Sequence, residues 1–243
     1  MQNNRTVPSL GHMKSFEHLR AAWLDARRDP SGTNFRKRRF RIVHDIIKAI
    51  VDRKGRCCVI DVGGTPSYWN HYLDEIGDAP IEVTIVNLRP ENTQLPDERF
   101  SFQAGNACNL SQFRDQQFDL VHSNSVIEHV GRWKNMADMA REVRRLAPAY
   151  FVQTPNFWFP FEPHFRTPFF HWLPEQWRVR LLMSRDLGFY KRSQDIDAAM
   201  AAMEGAVLVD QRQFQALFPD AQIIREKFFG LTKSLMAVRT PPN

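Results

Sequence analysis

The sequence predicts an α/β fold in one elaborated domain, a doubly wound and mostly parallel sheet with helices on both sides, and three observations carry this. Four apolar runs in order each end in small or polar residues: 57–62, 81–86, 100–103 and 118–122. Two stretches with helical periodicity, 36–53 and 132–146, lie where helices would pack on such a sheet. The two final apolar runs, 221–226 and 234–239, are separated by a short connection containing Gly230. That connection is too short for a crossover helix, so this pair is expected to be antiparallel.

The elements follow from residue order. Helix 36–53 places Phe40, Val43, Ile46, Ile47, Ile50 and Val51 on one face, and Arg36, Lys37, Arg38, Arg39 and Arg41 crowd its start. A basic cluster at the positive end of a helix is locally unfavourable, so it suggests either a solvated face or an external anion. The first strand ends in Asp61-Val62-Gly63-Gly64, where glycines permit a sharp turn and bring backbone N–H groups to a ligand. The second run ends at Asn87, 23 positions after Gly64, the spacing at which a strand-helix-strand unit delivers a ribose-binding side chain. The third ends in Gly105-Asn106-Ala107, where an amide reaches a base edge. The fourth runs through His122-Ser123-Asn124-Ser125 into Glu128-His129. Helix 132–146 turns Met136, Met139, Ala140, Val143 and Leu146 inward, and a fifth strand covers 150–154.

At this point the chain resembles a class I S-adenosylmethionine-dependent methyltransferase of the type-11 group. The resemblance rests on the strand-Asp-x-Gly-Gly turn and on Phe118-Asp119-Leu120-Val121 followed by Glu128-His129-Val130, and it runs from about Val59 to the C-terminus. It implies a Rossmann-like, seven-stranded sheet closed by a C-terminal antiparallel hairpin, and S-adenosylmethionine as cofactor. It also implies cofactor-binding roles: Asp61, Gly63 and Gly64 for methionine and ribose, Asn87 and Leu88 for ribose and adenine, Asn106 and Ala107 for the base edge, and Ser123 and Ser125 at the methyl end. The chain departs from the pattern at Asn87, where the family usually has an acid, and at Asn106, where it often has Asp. An amide lacks charge assistance, which roughly halves the strength of such a hydrogen bond.

Composition agrees with a compact enzyme of 243 residues, 43% of them hydrophobic. The expected organisation is a single methyltransferase domain: a helical segment 1–55, a cofactor-binding half 56–156, an insertion 157–205, and a helix and hairpin 206–243. No run of about 18 apolar residues is present to span a bilayer. The start, Met1-Gln2-Asn3-Asn4-Arg5, leads into no secretory signal. Cys57, Cys58 and Cys108 read as free thiols in a reducing, cytoplasmic compartment. No His/Cys cluster has the spacing of a zinc site, and no metal is expected.

Residues 157–172 hold eight aromatic residues and three prolines, which forbid a continuous helix or central strand. The segment follows the C-terminal end of a strand, over the crevice where ligands bind in open α/β sheets. It reads as a lid or substrate wall, extended by a helix over 174–184 carrying Trp177, Leu181 and Leu182. Two alternatives stay open: a packed connection whose aromatics fill a small secondary core, and an element lying on a membrane surface.

A sulfonium methyl is already electrophilic, so the protein must supply in-line positioning and, for a hydroxyl acceptor, proton removal. His129 is the first candidate base. His164 and Glu162 are candidates to orient or deprotonate an acceptor; His171 and Asn156 are weaker ones. The expected reaction is methyl transfer to oxygen of a small-molecule, sugar or carrier-linked acceptor. The net charge of +6 leaves RNA open as an acceptor and a membrane surface open as a peripheral contact. Oligomeric state is not legible. A non-catalytic nucleotide-fold protein that binds a partner through the aromatic segment is the other reading, favoured by Asn87 and Asn106.

Overall fold

The computed structural model describes residues 34–88 and 94–240. The chain divides into two compact units, Met1–Arg39 and Phe40–Asn243, and the sheet and every candidate site residue belong to the second. Of the helical segment expected over 1–55, residues 1–33 lie outside the described residues.

Helix α1 (Asn34–Lys54) buries Phe40, Val43, Ile46, Ile47 and Ile50, as the three- and four-residue spacing requires. Strand β1 (Cys57–Val62) follows, then two short helices, α2 (Pro66–Asn70) and α3 (Leu73–Ile76), and strands β2 (Ile81–Asn87), β3 (Phe100–Ala104) and β4 (Leu120–Asn124). A 3-10 turn (Ile127–His129), helix α4 (Trp133–Leu146) and strand β5 (Ala149–Pro155) complete the first half. The insertion contains a two-residue hairpin, β6 (Phe161–Glu162) and β7 (Thr167–Pro168), and helices α5 (Glu175–Ser184) and α6 (Ile196–Glu204). Helix α7 (Gln211–Leu217) and strands β8 (Gln222–Phe228) and β9 (Leu231–Arg239) end the described chain.

The sheet order is β3-β2-β1-β4-β5-β9-β8. Pairs among β1 to β5 are parallel; β9 runs antiparallel to both β5 and β8. The expected fold is therefore present: a seven-stranded, mostly parallel, Rossmann-like sheet with an antiparallel C-terminal hairpin.

Alternation along the strands divides the core between the two faces of the sheet. Ile60, Val62, Val121, Tyr150 and Val152 pack with α4 and α7 on one face. Cys57, Val59, Leu120, Ala149 and Phe151 pack with α1 and α2 on the other. The residues of α4 that are buried are Met136, Met139, Ala140, Val143 and Leu146, as the periodicity predicts; each large apolar side chain so removed from water contributes about 1.5–3 kcal/mol. Asp210 caps α7 by accepting from the Gln213 amide at 2.9 Å while Gln213 returns a contact to the Asp210 amide, a capping box.

The insertion has a small core of its own, in which Phe165, Phe170, Leu182, Leu187, Ala199 and Met203 are buried together. Its other large side chains face outward, including Trp158, Phe169, Trp172 and Trp177. Among the described residues no helix is long and apolar enough to cross a membrane.

Candidate functional site

Ligands of open α/β sheets bind outside the carboxyl ends of the strands, where the strand order reverses. Here that point lies between β1 and β4: the chain leaves β1 toward β2 on one side and later returns to β4 on the other. Backbone bonds beyond the regular ladder carry this edge upward, from Gly63 N–H to Val86 O (2.7 Å), Gly105 N–H to Asn87 O (3.0 Å) and Ser125 N–H to Gln153 O (3.0 Å).

The two glycines are fixed by sterics. Gly63 has φ +77°, and a Cβ there would overlap the Val126 side chain; a Cβ on Gly64 would overlap the Asp61 carboxylate. Asp61 thus lies directly beneath the turn and is fully buried. Its Oδ2 accepts from Trp69 Nε1 at 2.7 Å and its Oδ1 faces His122 Nδ1 at 2.7 Å. Both oxygens are engaged inside the protein, where Asp61 holds the turn from below. Ser123 is buried and its hydroxyl donates to Val62 O at 2.9 Å, stitching β4 to β1.

The remaining cofactor-side candidates line the edge. Asn87 holds the Leu88 amide with Oδ1 at 2.8 Å and points Nδ2 toward Gly64 O at 3.4 Å, so β2 is tied to the glycine turn through its side chain. Leu88 is an apolar side chain that is 71% exposed. Asn106 accepts from the Cys108 amide at 3.0 Å in an Asx turn that presents Ala107 beside it. Ser125 adopts a left-handed φ of +57° and donates to Gln153 Oε1 at 2.8 Å.

That left-handed residue turns the chain from β4 into the 3-10 turn, and the turn sends neighbouring side chains opposite ways. Glu128 goes inward and is fully buried; its Oε2 accepts from Thr154 Oγ1 at 3.1 Å, while Oε1 has no partner. Burial raises its carboxyl above the ordinary value, with His129 and His164 opposing the shift. His129 goes outward, its Nδ1 donating to Gly205 O at 2.6 Å. His164 arrives from the insertion with Nε2 at 3.2 Å from His129 Nε2, and its Nδ1 meets Glu162 Oε1 at 2.7 Å. Glu162, nearly buried, also accepts from the Phe165 amide at 2.5 Å. Burial lowers His164, but the hydrogen bond and charge of Glu162 outweigh it and hold the ring above its ordinary value.

The three side chains singled out as catalytic in the sequence, His129, His164 and Glu162, are thereby brought into one chain of contacts. His171 and Asn156 are not part of it. His171 Nε2 contacts Phe157 O at 2.7 Å, and burial keeps the ring below its ordinary value. Asn156 is buried and donates to Thr232 O at 2.8 Å. Sequence reasoning passed over Glu128 and Thr154; the signal available was an acid directly before a histidine at a strand's C-terminal end. It also expected no metal site, whereas folding brings ligand atoms of Glu128, His129 and His164 within 4.8 Å of one another.

Comparison with known proteins bears on the same stretch. Residues 60–148 match the family described as methyltransferase domain. No curated protein matches the chain. Among solved structures, a Methanosarcina mazei protein described as an S-adenosylmethionine-dependent methyltransferase is 15% identical with a TM-score of 0.48, covering 83% of this chain and 98% of its own. A protein of Bordetella parapertussis described as exported is 13% identical with a TM-score of 0.50, covering 82% of this chain and 67% of its own. A Pyrococcus horikoshii protein is 16% identical with a TM-score of 0.45, covering 84% and 91%.

The stretch that matches the methyltransferase-domain family, residues 60–148, contains the glycine turn, the Asn87 and Asn106 loops and the Glu128-His129 turn. The edge suits a nucleoside-bearing ligand: bare glycine backbone, an exposed apolar side chain at Leu88 for a planar base, and amides at Asn87 and Asn106 stand in one row.

Proposed function

We propose that the protein transfers a methyl group to an oxygen of a small-molecule, sugar or carrier-linked acceptor held between the Ser125–His129 turn and residues 157–205. The carrying observation is the contact chain Glu162–His164–His129 at the carboxyl edge of β4. S-adenosylmethionine supplies an electrophilic methyl. Gly63, Gly64, Asn87, Leu88, Asn106, Ala107 and Ser125 would hold it, with Asp61 and Ser123 keeping the turn in shape.

The acceptor side has a base to offer. Both Nδ1 atoms are committed to acceptors, which leaves Nε2 lone pairs to take the hydroxyl proton. Glu162 then stabilises the charge that appears on His164. The exposed Trp158, Phe169 and Trp172 support the reading of residues 157–205 as a substrate wall. The buried Phe165 and Phe170 support a second role as packing for that wall. The free thiols Cys57, Cys58 and Cys108 favour a reducing, cytoplasmic setting.

The test is release of S-adenosylhomocysteine from S-adenosylmethionine over a panel of sugar, phenolic and carboxylate acceptors, with the product atom assigned by NMR. Methylation at nitrogen or carbon would overturn the oxygen assignment. Trp172→Ala is expected to raise KM for the acceptor about tenfold while leaving S-adenosylhomocysteine affinity unchanged; equal losses would reduce the aromatics to packing.

A further inference from the structure

We propose that Glu128, His129 and His164 form a binding site for one first-row divalent cation. The argument starts from proton positions. The atom facing His129 Nδ1 is the Gly205 carbonyl oxygen, which only accepts, so Nδ1 carries the hydrogen. The atoms facing His164 Nδ1 belong to the Glu162 carboxylate, which leads to the same tautomer. Each neutral ring therefore has its lone pair on Nε2, and these two atoms face each other at 3.2 Å with the rings at 90°. Two lone pairs so placed repel unless a cation joins them.

The geometry suits a metal ion. Two metal–nitrogen bonds of about 2.0–2.1 Å that meet near 100° span roughly 3.2 Å. A carboxylate oxygen stands ready as the third ligand: Glu128 Oε1 is buried without a partner, and the three ligand atoms lie within 4.8 Å of one another. Every ligand also has the outer partner that metal ligands characteristically have: the Gly205 carbonyl for His129, the Glu162 carboxylate for His164 and the Thr154 hydroxyl for Glu128. Two imidazoles and one carboxylate match zinc, iron(II), manganese(II) or cobalt(II), and they leave coordination positions open. The use of those positions rests on the methyl-transfer reading above, with the cation in place of the Nε2 base whose lone pairs it occupies: a hydroxyl meeting the cation would lose its proton to solvent at lower pH than in water. The site itself does not depend on that reading.

The experiment uses the full chain, stripped with a chelator and titrated separately with Mn(II), Zn(II) and Co(II) by calorimetry, with the visible spectrum recorded for Co(II). One equivalent is expected to bind, with a cobalt spectrum of nitrogen and oxygen ligation. His164→Ala and Glu128→Gln are each expected to weaken binding by about 100-fold or more, and Glu162→Gln, a positioning change, by roughly 10–100-fold. Circular dichroism checks that the variants fold, and His129→Gln replaces any that does not. Absence of binding for all three ions up to millimolar concentration overturns the proposal and leaves a shared proton between the rings. Binding that the substitutions do not weaken overturns it as well. S-adenosylhomocysteine titrated into the same samples separates the two conclusions: its binding without any metal removes only the cation site, and metal binding without it removes only the methyl-transfer reading.

Discussion

Two buried polar groups lie about the switch point of the sheet, and they differ in how far the protein satisfies the carboxylate of each. Beneath the glycine turn, both oxygens of Asp61 are bonded, to Trp69 and His122, and the His122 ring is enclosed by Tyr68 and Phe151. Beside it, the Glu128, His129 and His164 group leaves one carboxylate oxygen without a partner and sets two ring nitrogens 3.2 Å apart. An unsatisfied buried polar group costs about 1–3 kcal/mol. In the first group the carboxylate is satisfied within the protein and only His122 Nε2 lacks a partner, shut in among aromatic rings; in the second the carboxylate itself keeps a bare oxygen next to two histidines, an arrangement typical of functional sites.

Substitutions can break this contrast. The largest effect expected is from Asp61→Ala, which leaves His122 and Trp69 buried without their partner and should lower stability by about 3–5 kcal/mol in urea unfolding. A loss under 1 kcal/mol would show that the glycine turn does not depend on it. His164→Ala should do the reverse: turnover falls by at least about 100-fold, while stability changes by less than about 1 kcal/mol, since its neighbour group already leaves a buried carboxylate oxygen without a partner. Similar stability losses for the two variants would erase the distinction between the regions.

Asn87→Asp sharpens the picture on the cofactor side. Aspartate keeps the bond to the Leu88 amide, gives up only the long contact to Gly64 O, and adds charge assistance toward a ribose hydroxyl. S-adenosylhomocysteine should bind about two- to tenfold more tightly by calorimetry, and weaker binding would place that side chain away from the ribose.

The smallest effect is a control remote from both groups. Tyr150 donates to Asp220 at 2.7 Å, and Arg144 and Arg239 flank the same carboxylate. Burial opposes its ionisation, but these partners outweigh burial and hold Asp220 below the ordinary carboxylate value. A depressed folded value means the stabilisation is complete above the unfolded value of about 3.9 and is lost as pH falls through the folded one. Tyr150→Phe should therefore cost about 1 kcal/mol at pH 7 and make unfolding less steeply dependent on pH below 4, with no change in turnover.

Local pattern determined much of this molecule. Period and length alone identify α1, α4 and all seven strands, because apolar side chains at helical or alternating spacing have one way to reach a core. They also give the antiparallel hairpin, since the Phe229-Gly230 connection is too short to cross over. Of the candidate site, the glycine turn and the Asn87 and Asn106 endings were legible, because they follow strands at regular intervals. What the sequence did not determine is which side chains turn inward. Asp61 and Ser123 read as ligand-facing and are buried; Glu128 read as a neighbour of His129 and is a buried acid bonded to Thr154. Short helices α2, α3 and α6 have too few turns to show a period. The meeting of His129 with His164, 35 residues apart, and the tautomers that make it incomplete, depend on where Gly205 and Glu162 come to rest. Only the packing of the insertion onto the β4 turn decides that, because hydrogen-bond partners far apart in the chain leave no trace in local spacing.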